Sequence, residues 1–201
     1  MSRRAPFLIG LTGSIGMGKS TTAQMFADAG IPVWNADAAV ARLYQAGGGA
    51  AQKIATIQPG AVAKGAVDKA KLRDWIAKDD AALDQIEAVI HPLVAADREK
   101  FLNSVTDDIA VLDIPLLFET GGHTAMDLVV VVSVPAAVQR KRVLKRPAMT
   151  VAQFETILSR QMPDASKRAK ADVIMLTENL EYTRNAVQNL IADIRGKLRH
   201  A

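Results

Sequence analysis

The 201-residue sequence contains no cysteine. That excludes a disulfide framework, a zinc–thiolate site and a cysteine nucleophile, and it suits a reducing compartment. Aromatic residues are scarce, at five Phe, two Tyr and two Trp, with no sign of the stacking platforms on which single-stranded nucleic acids lie. Net charge is small. The 25 basic and 21 acidic residues leave a formal +4, short of the basic excess that marks a nucleic-acid binder. Long hydrophobic runs are missing as well. The longest, Leu128–Val134, has the length of a buried strand, far below the ~20 residues of a membrane span. Arg3 and Arg4 precede an apolar run of only Phe7–Leu11, shorter than the core of a secretory signal. A cytoplasmic protein is expected, with neither a membrane nor a nucleic acid as partner.

What is present is an alternation of β-like and helical segments. Strands are expected at Phe7–Leu11, Pro32–Asn35, Ile109–Ile114, Leu128–Val134 and Asp172–Thr177, the third and fourth as near-continuous apolar runs typical of parallel strands covered on both faces. Helices are expected over Ser20–Ala29 and Ala38–Gln45. The stretch Ala50–Val105 reads as an all-helical insertion. In it Asp68 caps a helix carrying Leu72, Trp75 and Ile76, and Leu83, Ile86, Val89 and Ile90 form an apolar stripe. His91-Pro92 then turns the chain into another helix. Thr150 and Gln153 have the spacing of a capping box, and Val187, Ile191, Ile194 and Leu198 line one face of a C-terminal helix. Trp34 and Trp75 read as core residues. The fold class this predicts is a parallel α/β sandwich interrupted by helical insertions.

One motif carries chemistry. Gly13-Ser14-Ile15-Gly16-Met17-Gly18-Lys19-Ser20, continuing to Thr21, matches G-x-x-x-x-G-K-[ST] in full. The glycines let successive backbone N–H groups turn toward a phosphate, Lys19 reaches the β- and γ-phosphates, and the Ser20 hydroxyl ligates Mg²⁺. The following helix adds the partial positive charge of its N-terminus. A dinucleotide fingerprint fails on spacing. A guanine-nucleotide switch fails because N-K-x-D is absent and the only D-x-x-G, Asp193–Gly196, falls inside the C-terminal helix.

Several residues are candidates for the rest of a site. Asp37 follows the second strand, at the sheet edge where α/β enzymes bind ligands. It serves either as a carboxylate that accepts a proton from an acceptor hydroxyl or as a helix N-cap. Asp113 ends an apolar strand and either joins the magnesium shell or caps the turn at Pro115. Glu119 lies on the loop beyond. Arg140, Lys141, Arg142, Lys145 and Arg146 crowd into seven positions, either as a solvated helix face or as ligands for a polyanion. His91, His123 and His200 do not cluster, so a histidine metal site is not expected.

Taken in order, the P-loop, Gly30-Ile31-Pro32-Val33 leading to Ala36-Asp37, Ile90-His91-Pro92-Leu93, Asp113-Ile114-Pro115-Leu116-Leu117-Phe118-Glu119, the Gln139–Arg146 helix, Arg160-Gln161 and Ala171-Asp172 resemble the dephospho-coenzyme A kinase family along nearly the whole chain. The resemblance implies a P-loop NTPase sandwich with a nucleotide-binding core (1–37, 109–145 and 172–201), a helical coenzyme-A-binding insertion (38–108) and a small helical lid (146–171). It implies an ATP-dependent kinase with Mg²⁺ that phosphorylates the ribose 3′-hydroxyl of dephospho-coenzyme A. It also implies roles: Asp37 as catalytic carboxylate, Arg142 beside the adenine and phosphates, Arg146 and Arg160 in the lid, and His91, Leu117 and Glu119 on the acceptor. Other small-molecule P-loop kinases, acting on a nucleoside monophosphate, shikimate or gluconate, are the alternative, with a nucleotide-dependent switch behind them. Two positions depart from the family pattern. Asn35 replaces an acid two residues before Asp37, and Met175-Leu176-Thr177 replaces an Asp-Asn pair expected at the adenine.

Overall fold

The computed structural model describes residues 5–200, so Arg3 and Arg4 lie outside the described residues. Along the chain come β1 (Phe7–Thr12), α1 (Lys19–Asp28), β2 (Val33–Asn35), α2 (Ala36–Tyr44) and α3 (Gly49–Ile57). The two-residue strands β3 (Val62–Ala63) and β4 (Ala66–Val67) follow, then α4 (Lys69–Ile76), α5 (Ala82–Ser104), β5 (Ile109–Asp113) and β6 (Leu128–Ser133). The last elements are α6 (Ala136–Leu144), α7 (Val151–Ser159), α8 (Asp164–Ala169), β7 (Val173–Leu176) and α9 (Leu180–Arg199). They fall into two compact units. One comprises the chain up to Trp34 together with the chain from Val105 onward, and the other is Asn35–Ser104. None of the described helices is long and apolar enough to cross a membrane.

The first unit is built on a five-stranded sheet in the order β2-β5-β1-β6-β7. Its parallel registers set Leu11 beside Asp113, Leu11 beside Val130 and Val131 beside Ile174. The apolar runs are two-faced, as continuous hydrophobic strands in a covered parallel sheet must be. In β6, Val130 and Val132 join a core with Ile9, Leu11, Phe26, Met175, Val187, Ile191 and Ile194. The alternate residues Val129 and Val131 join a second core with Leu117 and Phe118. The parallel α/β sheet and the apolar face of α9 are as the sequence predicts. So is the capping box: Thr150 Oγ1 accepts the Gln153 amide while Gln153 Oε1 accepts the Thr150 amide.

The second unit has its own core around Ala50, Ile54, Leu72, Ile86 and Ile90, and Asp68 caps α4 as expected, accepting the amides of Ala70 and Lys71. Trp75 is only partly buried against that core and donates its indole N–H to Asp79. Three expectations fail here. The unit is not all helical, because β3 and β4 pair as an antiparallel hairpin, Val62 with Val67 and Ala63 with Ala66. Its two-residue loop holds Lys64 at φ 50° and Gly65 at φ 74°, the positive pair that a tight hairpin turn with the right twist demands. The chain does not turn at His91-Pro92 either, since α5 runs unbroken through Pro92. Proline deletes one helical N–H and crowds the carbonyl four residues back. Both Ala88 and Pro92 are exposed residues, so the break in the ladder falls on the solvent side of the helix and not in its core. Leu83 also leaves the expected stripe, at 45% exposed.

Candidate functional site

The phosphate-loop motif leaves the carboxyl end of β1 and runs directly into α1. The loop closes sharply enough to put Gly16 at φ 80° and Gly18 at φ 91°, left-handed values that glycine adopts without penalty. Close packing adds a second requirement. A Cβ on Gly16 would collide with a Val143 methyl, and one on Gly18 would stand 2.6 Å from Thr177 Oγ1. Gly18 is the N-cap of α1 and offers no side-chain acceptor, so the first-turn amides are left to a ligand or water. Ser20 and Thr21 are exposed on that first turn, while Ser14 and Met17 are buried.

Lys19 Nζ lies 2.5 Å from Asp113 Oδ1, with the side chains 12% and 0% exposed. The β1–β5 register produces this contact: Asp113 pairs with Leu11, two residues before the loop begins at Gly13. Thr12 Oγ1 donates to the Pro115 carbonyl at 3.0 Å, which ties the foot of the loop to the segment after β5. Asp113 is thus a fully buried carboxylate held against the loop lysine.

Three uncharged side chains for which the sequence suggests no hydrogen-bonding role hold the loop from behind. Gln139 Nε2 donates to the Ile15 carbonyl at 2.8 Å, and the Ile15 amide donates to Gln161 Oε1 at 3.0 Å. Thr177 Oγ1 donates to the Met17 carbonyl at 2.7 Å. Arg142 reaches the same threonine, through Nη1 to Oγ1 at 3.2 Å and Nη2 to the carbonyl at 2.7 Å. Of the basic cluster, Arg142 is half-buried, whereas Arg140, Lys141, Lys145 and Arg146 are exposed. Arg160 is the C-cap of α7 and is exposed.

The loop after β5 is anchored by a buried ion pair. Lys167 of α8 is fully buried, 2.9 Å from Glu119 Oε1, and also donates to the Pro115 carbonyl at 3.2 Å. The Met162 amide donates to the same Glu119 oxygen at 2.8 Å. Burial pushes the Glu119 carboxyl toward its neutral form, but the Lys167 and backbone hydrogen bonds, with the Lys167 charge, together hold it below its ordinary value. Leu117 is fully buried beside Phe118.

Asp37 and His91 belong to the other unit. Asp37 is exposed in the first turn of α2, and Asn35, not Asp37, is the N-cap: its Oδ1 accepts the Ala38 amide at 2.7 Å. His91 is exposed midway along α5. Thus Gly13–Thr21, Asp113 and Arg142 are gathered within the first unit, with Arg142 linked to the loop through Thr177.

A parallel sheet of this order, carrying a Gly-x-x-x-x-Gly-Lys-Ser loop between its first strand and helix, with the loop lysine against a buried strand-end aspartate, defines a P-loop phosphotransferase. Residues 7–181 match the family model described as dephospho-CoA kinase. The dephospho-CoA kinase of Cereibacter sphaeroides is 57% identical, over 94% of this chain and 96% of that protein. The one from Ruegeria pomeroyi is 52% identical, over 97% and 99%. A crystal structure of a Thermus thermophilus protein superposes with a TM-score of 0.84 at 30% identity, over 94% of this chain and 98% of that one. The chain belongs to the dephospho-CoA kinase family.

Proposed function

We propose that this chain transfers the γ-phosphoryl group of ATP to the ribose 3′-hydroxyl of dephospho-coenzyme A, giving coenzyme A and ADP. Family membership across residues 7–181 supports the reaction, and the Lys19–Asp113 pairing at the mouth of the phosphate loop is the observation that carries it. Phosphoryl transfer leaves a protein little covalent chemistry to perform, so its work is positioning and charge stabilisation. The amides of Gly13–Thr21 and the α1 N-terminus hold the β- and γ-phosphates, and Lys19 neutralises charge building there. Arg142 lies along the nucleotide, and Arg146 and Arg160 belong to a lid over it. Asp37 orients the acceptor hydroxyl and takes its proton. His91 and the loop bearing Leu117 and Glu119 serve the acceptor.

The donors for a magnesium ion fit. Ser20 offers an exposed hydroxyl and Asp113 a buried carboxylate. No group of three His, Cys, Asp or Glu side chains gathers among the described residues, and Mg²⁺ bound with a nucleotide needs none, since it takes one or two protein oxygens plus phosphates and waters. Bound there, Mg²⁺ neutralises charge on the phosphate oxygens. For Asp113 to take part, Lys19 has to shift from the carboxylate toward the phosphates.

The test is ADP release with and without acceptor. Dephospho-coenzyme A should stimulate it strongly, whereas shikimate, gluconate and nucleoside monophosphates should do so weakly. Preference for any of the latter would leave a P-loop kinase with a different substrate.

A further inference from the structure

We propose that Thr177 is a positioning residue whose single hydroxyl fixes both the curvature of the phosphate loop and the aim of Arg142. The inference rests on the reading of the loop and Arg142 as the nucleotide side of the site. Thr177 follows β7 directly and is 5% exposed. Its amide donates to the Ser133 carbonyl at 3.1 Å, which continues the β6–β7 ladder and fixes the backbone at this point. A hydroxyl has one proton to give, and here it goes to the Met17 carbonyl at 2.7 Å. The oxygen is then free only to accept, which it does from Arg142 Nη1, while the Thr177 carbonyl accepts from Nη2 at 2.7 Å. One residue thus engages both prongs of the guanidinium, the fork geometry that orients an arginine most firmly.

The consequence for the loop follows from peptide planarity. In a trans peptide the carbonyl of one residue and the N–H of the next point in opposite directions. With the Met17 carbonyl drawn onto Thr177, the Gly18 N–H is turned away from Thr177, toward the side where a phosphate is cradled. The 2.6 Å approach that a Gly18 Cβ would make to Thr177 Oγ1 shows how closely the loop is held. Arg142, Thr177 and Met17 form a donor-to-acceptor chain in which each link polarises the next.

Substitutions at Thr177, alone and combined with Arg142→Ala, and a direct nucleotide titration test this. Thr177→Val keeps the shape of the side chain and deletes the hydroxyl, whereas Thr177→Ser keeps the hydroxyl and deletes the methyl. The Val variant should bind ATP about tenfold more weakly, the loss of one well-placed hydrogen-bonding group, and raise KM for ATP without changing KM for dephospho-coenzyme A. The Ser variant should stay within about twofold of the parent in every measurement. In an Arg142→Ala background the Val substitution should cost less than it does alone, because the two residues act as one unit. If circular dichroism shows the Val variant unfolded, Thr177→Ala carries the same expectation. The inference is overturned by wild-type ATP affinity in the hydroxyl-less variant, by a Ser variant as impaired as the Val one, or by full additivity with Arg142→Ala. Nucleotide titration needs no acceptor, so a parent protein that bound ATP but ignored dephospho-coenzyme A would refute the substrate reading and leave the Thr177 result standing.

Discussion

The ammonium of Lys167 is fully buried and sits 2.9 Å from the Glu119 carboxylate, whose side chain is 18% exposed. Removing one partner of such a pair strands the other charge, at a cost of roughly 3–5 kcal/mol. The residual exposure of Glu119 places Glu119→Ala near the lower end, about 3 kcal/mol in urea unfolding. The pH dependence has a definite sign. The Glu119 carboxyl is held below its ordinary value of 4.5, so ionisation stabilises the fold above that pH, and the contribution disappears as pH falls through the lower, folded-state value. The stability gap between the parent and Glu119→Gln should therefore be constant near neutrality and close in acid. A gap that widened in acid would contradict the assignment.

Lys19→Met should abolish turnover almost completely, since the lysine supplies charge where the transferred group builds it. It should also weaken the fold. The ammonium stands against a fully buried Asp113, so the lysine is not a bystander until nucleotide arrives. Adding Asp113→Asn should recover part of the lost stability and none of the activity. Near-native turnover in a folded Lys19→Met protein would remove the basis of the phosphate-loop assignment.

Asp37→Asn should lower kcat by about 10²–10⁴-fold, nearer the lower figure because little proton movement precedes bond breaking in phosphoryl transfer. Nucleotide affinity should hold. Stability should hold too, because the cap of α2 is Asn35. Unimpaired turnover would leave Asp37 with no more than a favourable place in the first turn of a helix.

Arg160→Ala should lower kcat more than it raises KM for ATP. A lid residue acts on closure, and charges that reach the phosphates only then stabilise the transition state over the bound ground state. Steady-state kinetics reporting a change confined to KM for ATP would assign Arg160 to simple binding.

The sheet was legible because β5 and β6 are apolar on both faces, and the phosphate loop because its chemistry dictates residue types at fixed spacing. The β3–β4 hairpin was not legible. Two-residue strands carry no periodicity, and its turn uses Lys64-Gly65 in place of the usual Asn-Gly or Asp-Gly. The continuity of α5 is not legible either, because Pro92 breaks most helices, whereas here it lies on an exposed face of the helix, where a missing bond costs least. Asn35 was seen only as a lost acid, although Asn is among the best N-caps. Gln139, Gln161 and Thr177 stand in the sequence only as members of longer segments: neutral hydrogen-bonding residues fit any amphipathic pattern, and only their contacts with the loop in three dimensions give them a role. Lys167 carries no sequence signal of its burial, because its partner Glu119 lies far away along the chain.

At Gly16 the phosphate loop touches α6 so closely that a single added carbon would strike Val143, while Gln139, one helical turn earlier, holds the Ile15 carbonyl. Loop and helix are therefore a matched pair, cut to each other's outline like a key and its ward. A residue larger than valine at 143, or any side chain at 16, would be felt as a misshapen loop far more than as a disturbed helix. Transplanting this loop into another P-loop scaffold would accordingly fail unless α6 travelled with it as far as Val143.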